Sequence, residues 1–277
     1  MLRRLPDAEI ALVYIDPPFN TGRVQRRTSM RTVQSEAGGD RTGFGGRRYR
    51  TETTGTRAYT DAHDDYLAFL EPRLREAWRV LGPAGTLYVH LDYREVHHVK
   101  VLLDGLVGRD RFLNEIIWAY DYGARSRRRW PAKHDNILVY VKDPDAYWFD
   151  STAVDREPYM APGLVTAAKA ELGKLPTDVW WHTIVSPTGR EKTGYPTQKP
   201  EAVLRRIVTA STRAGDCVLD FFAGSGTTGA VARRLGRRFV LVDCNPEAFE
   251  VMRDRLGGTD IDYVRGSDPV GEAGEDP

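Results

Sequence analysis

Three short apolar runs constrain this chain more than any other feature. Ile10-Ala-Leu-Val-Tyr-Ile15, Cys217-Val-Leu219 and Phe239-Val-Leu-Val242 each stop at an aspartate: Asp16, Asp220 and Asp243. Brief runs rich in β-branched residues suit strands covered on both faces, as in parallel sheets. Helical spacing fills the intervals. It runs through Tyr66, Leu67, Phe69, Leu70, Leu74, Ala77, Trp78 and Leu81, then Val96, Val99, Leu102, Leu103 and Leu106, then Val203, Leu204, Ile207 and Val208 behind Pro200. Further strands are expected at 85–91, 112–120 and 136–141, and further helices at 227–235 and 246–256. Strands alternating with helices predict an α/β fold, a mostly parallel sheet with helices on both faces.

The remaining segments read less clearly. From Arg23 to about Thr60 the periodicity disappears among Gly, Thr, Ser and Arg, which predicts a long Arg-rich loop over 23–60. Residues 151–192 are broken by Pro158, Pro162, Pro176 and Pro187 and read as a small inserted module. Trp180 and Trp181 either pin it or reach outward. The expected organisation is 1–150 as one half of the main domain, 151–192 as the insertion, 193–265 as the other half, and 266–277 as an acidic tail. Lys plus Arg number 40 against 39 for Asp plus Glu, so a uniformly basic chain is excluded while local basic patches are not. Cys217 and Cys244 are too few for a disulfide scaffold, and the six histidines show no metal spacing with them, so no metal is expected and the histidines read as surface or helix-end residues. With no apolar run long enough for a bilayer and no signal-like start, the expectation is a cytoplasmic chain without membrane contact.

Two clusters carry chemistry. Asp220-Phe-Phe-Ala-Gly224-Ser-Gly226-Thr-Thr-Gly229 follows a strand and opens a helix, with Asp243 closing the next strand. Glycines let the backbone approach a ligand, and Asp243 can accept from ribose hydroxyls, which suits a dinucleotide or S-adenosylmethionine. A carboxylate at Asp220 would repel a pyrophosphate but favour an ammonium and a sulfonium. The second cluster, Asp16-Pro17-Pro18-Phe19, also ends a strand. The nitrogen of a nucleobase amine is a poor nucleophile because its lone pair is delocalised into the ring. A carboxylate and a rigidly held carbonyl accepting its two hydrogens would redirect that lone pair toward a methyl group, and Phe19 could stack on an extruded base.

In the order Asp16-Pro-Pro-Phe-Asn-Thr-Gly22 first and Asp220-Phe-Phe-Ala-Gly-Ser-Gly-Thr-Thr228 last, the chain resembles the circularly permuted beta-group of DNA amino-methyltransferases. Thr197-Gln-Lys-Pro200, 85–92 and 114–118 extend the likeness. The resemblance implies a Rossmann-like, seven-stranded methyltransferase sheet in which 151–192 serves target recognition. It implies Asp16, Pro17, Pro18 and Phe19 at the target amine. Asp220, Phe222, Ala223, Gly224, Gly226, Thr227, Asp243, Thr197 and Lys199 would surround S-adenosylmethionine. Asp-Pro-Pro-Phe is similar to N6-adenine enzymes, while N4-cytosine enzymes more often begin with serine. Double-stranded DNA is the implied partner, met by Asn20, Arg23, Arg26, Arg27, Arg125, Arg127 and Arg128. A homodimer, a restriction partner and a non-catalytic DNA-binding relative stay open. Relatives usually carry a Gly-Asp pair before the catalytic strand; here the expectation is that this element is either absent or replaced by Ile261–Asp268.

Overall fold

The computed structural model describes residues 2–20, 23–34, 41–42, 48–61, 65–121, 123, 125–186, 189–258 and 260–264; between 21 and 64, side chains are described only at 48 and 50. Two compact units emerge, one comprising Met1–Pro17 with Leu67–Pro277 and the other Pro18–Tyr66. In chain order the strands are β1 (Ile10–Ile15), β2 (Arg23–Gln34), β3 (Arg41–Thr42), β4 (Arg48–Asp61), β5 (Leu81–Leu91), β6 (Phe112–Ala119), β7 (His134–Val141), β8 (Val179–Trp181), β9 (Cys217–Asp220) and β10 (Arg238–Leu241). The helices are α1 (Tyr66–Val80), α2 (Val96–Val107), α3 (Ala167–Leu172), α4 (Glu201–Ser211), α5 (Thr227–Arg234) and α6 (Pro246–Leu256).

The first unit is built on a seven-stranded sheet in the order β10-β9-β1-β5-β7-β6-β8. All its pairings are parallel except those of β7, which runs antiparallel to both β5 and β6. Leu12 and Val13 sit between Thr86 and Leu87 on one side and Val218 and Leu219 on the other, which puts β1 in the middle. Alternation then sorts the side chains. Leu12, Tyr14, Tyr88, Ile137, Val139 and Val218 share a buried cluster with Val203, Leu204, Ile207 and Val208 of α4 and Val231 and Ala232 of α5. Tyr140, of opposite parity to Val139, reaches α2 by donating to Lys100 O at 3.3 Å and Asp104 Oδ1 at 2.7 Å. Helices therefore cover both faces. Gly108, at φ 102°, ends α2 with its N–H on Asp104 O.

The second unit corrects the expectation of a structureless loop over 23–60. β2 and β4 pair antiparallel from Arg23↔Asp61 to Gln34↔Tyr49, and β3 adds to β4. These strands are rich in threonine, with valine and tyrosine among them, so β propensity is high although no apolar alternation announces it. The segment 151–192 lies within the first unit rather than apart from it. Its strand β8 lines up beside β6, Trp180 is buried and Trp181 is exposed, so one tryptophan pins the segment and the other reaches outward.

Leu204 is fully buried between α4 and the sheet. Leu204→Ala is expected to lower the unfolding free energy by about 2–5 kcal/mol in denaturant titration, because the sheet below cannot collapse into the gap.

Candidate active site

Strand order reverses between β9 and β1: from β1 the chain proceeds to β5 on one side, and from β9 to β10 on the other. In open α/β sheets the crevice outside the carboxyl ends at such a point receives ligands. Asp16 directly follows β1, and Asp220 closes β9. Leu241 of β10 is in register with Asp220, which brings Asp243 to the same edge.

The three aspartates have different surroundings. Asp16 Oδ2 accepts from Lys199 Nζ at 2.5 Å, whereas Asp16 Oδ1 is buried with no hydrogen-bond partner among the described residues. Asp220 is buried and fully engaged with the turn that follows it: Oδ1 accepts from Phe222 N at 3.0 Å and Oδ2 from Thr228 Oγ1 at 2.6 Å. Burial drives its pKa up to about 7 against those hydrogen bonds, and the charges of Asp16 and Asp243 add to the rise. Asp243 Oδ2 accepts from Gly224 N and Oδ1 from Asn245 N, each at 2.8 Å. Its pKa is also raised, chiefly by burial. Each oxygen of a carboxylate has two lone pairs, so Asp243 keeps acceptor capacity for a ligand.

The glycines of the turn have separate reasons. Gly224 and Gly226 take left-handed φ of 49° and 71°. A Cβ on Gly226 would also come within 2.8 Å of Met252 Cγ, and one on Gly229 within 2.6 Å of Leu241 Cδ1, so α5 packs closely on α6 and β10. Half-buried Tyr195 lies against Gly224, where a Cβ would meet its ring at 3.1 Å. Ala223 and Thr227 are buried and Phe222 is half-buried, its ring 6.2 Å from that of Phe69.

Among the other expected residues, Pro17 is buried beside Asp16. Pro18, Phe19 and Asn20 belong to the second unit, and Asn20 has a left-handed φ of 51°. The side chains of Arg23, Arg26 and Arg27 lie outside the described residues. Arg125, Arg127 and Arg128 are exposed in the β6–β7 connection, which leaves the sheet from the same carboxyl edge as Asp16, and Trp130 beside them is 95% exposed. Thr197 is exposed at a left-handed φ of 57°, with its hydroxyl turned onto Pro196 O. Of the expected replacement segment, Ile261 packs on the Ala223–Met252 cluster, and Tyr263 meets Phe249 edge-on at 5.7 Å; 265–268 lie outside the described residues.

Sequence reading missed two features. His90, expected at a surface or helix end, is wholly buried in β5. Its Nδ1 is 2.8 Å from Tyr14 Oη and its Nε2 3.2 Å from Asp135 Oδ2, while Tyr120 donates to Asp135 Oδ1 at 3.0 Å. Burial pushes the Tyr14 hydroxyl pKa well up, and the charges of Asp16, Asp220 and Asp135 push it further. For Asp135 burial works upward, but the hydrogen bond and charge of His90, the charge of Lys199 and the Tyr120 hydroxyl outweigh it, and the pKa is lowered. The alternation Tyr88-Val-His90 in a strand was the one signal pointing inward. Arg255 is the second: Nη1 donates to Ser225 O and Oγ at 3.2 Å and to Thr227 Oγ1 at 2.9 Å, and Nη2 to Glu201 Oε1 at 2.6 Å. On an amphipathic helix it reads as one more exposed arginine.

The fold is a Rossmann-like methyltransferase architecture. It is shared with the PvuII DNA methyltransferase (cytosine-N4-specific), at TM-score 0.62 and 18% identity over 94% of this chain and 84% of that one. It is shared also with the M1.HpyAVI–SAM complex, at TM-score 0.55 and 22% identity over 92% and 90%. Residues 10–254 match the DNA methylase family model for N6 and N4 enzymes, and the chain belongs to that family. It is 30% identical over 257 residues to the type II methyltransferase M.HpaI of Haemophilus parainfluenzae, covering 92% of this chain and 70% of that protein. It is 29% identical over 263 residues to the DNA adenine methyltransferase YhdJ of Escherichia coli (strain K12), covering 92% and 79%.

A carboxyl whose pKa is higher folded than unfolded binds its proton more tightly in the fold. Its stabilising contribution is complete below about pH 4 and is lost as pH rises through the folded value. Asp220, at about 7, should therefore make wild-type thermal stability fall between about pH 4 and pH 7. Asp220→Asn is expected to flatten that fall in melting curves taken across this range.

Proposed function

We propose that this chain is a site-specific DNA methyltransferase that transfers a methyl group from S-adenosylmethionine to the exocyclic N6 amine of adenine in double-stranded DNA. The observation that carries this reading is the Asp16 carboxylate: held at the switch point by Lys199, it keeps Oδ1 buried and without a hydrogen-bond partner among the described residues, on the strand beside the glycine turn. The catalytic motif precedes the cofactor turn in the chain, as in the permuted beta-group.

The Asp16 Oδ1 atom and the Pro17 carbonyl draw the two hydrogens of the target amine, and the fixed φ of two successive prolines presets both acceptors. Asp16 then takes the proton that the nitrogen releases as it gains the methyl carbon. Pro18 and Phe19 complete the motif, with Phe19 stacking on the extruded base. S-adenosylmethionine, when bound, supplies an electrophilic methyl carbon on a sulfonium. The residues at the turn fit such a ligand: Gly224 and Gly226 take left-handed φ and put no side chain into the turn, and Asp243 has lone pairs left for ribose hydroxyls. Phe222, Ala223, Thr227 and Thr197 complete its surroundings in this assignment. Asp220 acts through the turn it holds.

Adenine is favoured by the aspartate that begins the motif and by the likeness to YhdJ, a DNA adenine methyltransferase. Arg125, Arg127 and Arg128 are assigned to phosphates, because they project from the edge that carries Asp16. Asn20, Arg23, Arg26 and Arg27 are assigned to the same duplex by charge and by the motif they follow.

The first test combines Asp16→Ala with nucleoside mass spectrometry on DNA from a methylation-free host. Wild type should yield N6-methyladenine. The variant should lose about 10²-fold or more of the rate, as when a preorganised polar group is removed, while S-adenosylmethionine still binds in calorimetry. Finding N4-methylcytosine instead would overturn the choice of base. The second test replaces Arg125, Arg127 and Arg128 by Ala together. The slope of log K against log [salt] for duplex binding should become shallower by about 2–3, roughly 0.9 for each phosphate left without its arginine.

A further inference from the structure

Lys199 touches both halves of the site. Its side chain crosses 183 positions of sequence to bond Asp16 Oδ2 at 2.5 Å, and its own carbonyl accepts from Thr227 Oγ1 at 3.3 Å, at the first residue of α5. Both side chains of the pair are mostly buried, with 10% of Lys199 and 17% of Asp16 exposed.

The backbone that presents Lys199 is held on each side. Gln198 Oε1 accepts from Thr193 N and Oγ1, each at 2.9 Å, and Gln198 Nε2 donates to Glu191 O at 2.6 Å. Glu191 Oε2 accepts from Glu201 N at 2.9 Å, and Glu201 in turn pairs with Arg255 and Arg234. Arg255 is the residue that also grips Ser225 and Thr227. Lys199 thus sits in a closed loop of contacts that includes the cofactor turn.

We propose that Lys199 is a positioning residue that sets the methyl acceptor in register with the methyl donor. Its ammonium occupies Asp16 Oδ2, so the target amine must meet Oδ1. Its carbonyl ties the start of α5, and with it the glycine turn, to the same residue. The proposal rests on the methyltransferase reading and departs from the role that the family resemblance implies for this lysine, a ligand of the cofactor's carboxylate. The two roles separate kinetically. A cofactor ligand contributes to binding, whereas a residue that orients Asp16 contributes to the rate once the cofactor is bound.

The experiment uses the full chain, methyl-tritiated S-adenosylmethionine and unmethylated plasmid DNA, with calorimetric titration of the cofactor alongside. Lys199→Met should lower methyl transfer at saturating cofactor by about 10²-fold, the scale of losing one preorganised donor, with the cofactor Kd changed by less than about threefold, under 0.7 kcal/mol. Lys199→Gln keeps a donor but drops the charge; it should show the same split with a smaller loss, and it stands in if the methionine variant does not fold. A soluble variant whose saturating rate stays within about threefold of wild type, whether or not cofactor affinity falls, overturns the proposal. A wild-type chain that binds the cofactor yet labels no DNA overturns the methyltransferase reading itself.

Discussion

The contact between Lys199 and Asp16 is the constraint on which the site depends. It joins the residue that follows β1 to the segment that leads into α4, 183 positions away in sequence. Two charges this far from water need each other; removing one partner of a buried pair typically costs about 3–5 kcal/mol. The pair in turn fixes which carboxylate oxygen is left over. An acceptor held buried without a partner is costly in a resting protein, and a substrate amine is the kind of donor that offsets that cost.

Around this contact the three strand-end aspartates diverge in role, although all are the same residue type at equivalent places in the sheet. Asp16 is half satisfied, with Oδ2 on Lys199 and Oδ1 without a partner among the described residues. Asp220 is fully satisfied by its own turn, and burial makes it hold its proton to about pH 7. Asp243 braces Gly224 from the neighbouring strand and keeps lone pairs to spare. Environment separates them: Asp220 is buried against its own turn, Asp243 is only half-buried, and Asp16 keeps one oxygen without a donor among the described residues.

Next to them runs a buried polar row, Tyr14, His90, Asp135 and Tyr120, on neighbouring strands and on the face covered by α4. It lies at the carboxyl end of the sheet, where the charge of Asp16 acts on Tyr14 and that of Lys199 on Asp135. Linked hydrogen bonds of this kind rigidify their surroundings when satisfied, and Tyr14 is two residues before Asp16 on the same strand. The histidine escapes a reading of sequence because its imidazole is as common on surfaces as in cores. Only the strand alternation around it pointed inward, and that signal does not reveal a partner 45 residues away.

Local patterning by itself determined the strands that end in aspartate, the helices between them, and the turn that needs glycine at 224 and 226, because period and backbone freedom are properties of neighbouring residues. It also singled out Asp16-Pro-Pro-Phe and Asp220-to-Gly229 as candidates for chemistry, and the fold brings Asp16 and Asp220 to the ends of neighbouring strands. It failed at β2 and β4, where threonine-rich strands lack an apolar face to announce them, and at 151–192, whose edge strand pairs with β6 across some 60 residues of chain. Only the tertiary structure decided that Lys199 meets Asp16, that Arg255 grips the glycine turn, and that His90 is enclosed. Each of these joins residues far apart in sequence, and side-chain charge alone does not say which of many opposite charges will be nearest once the sheet has closed.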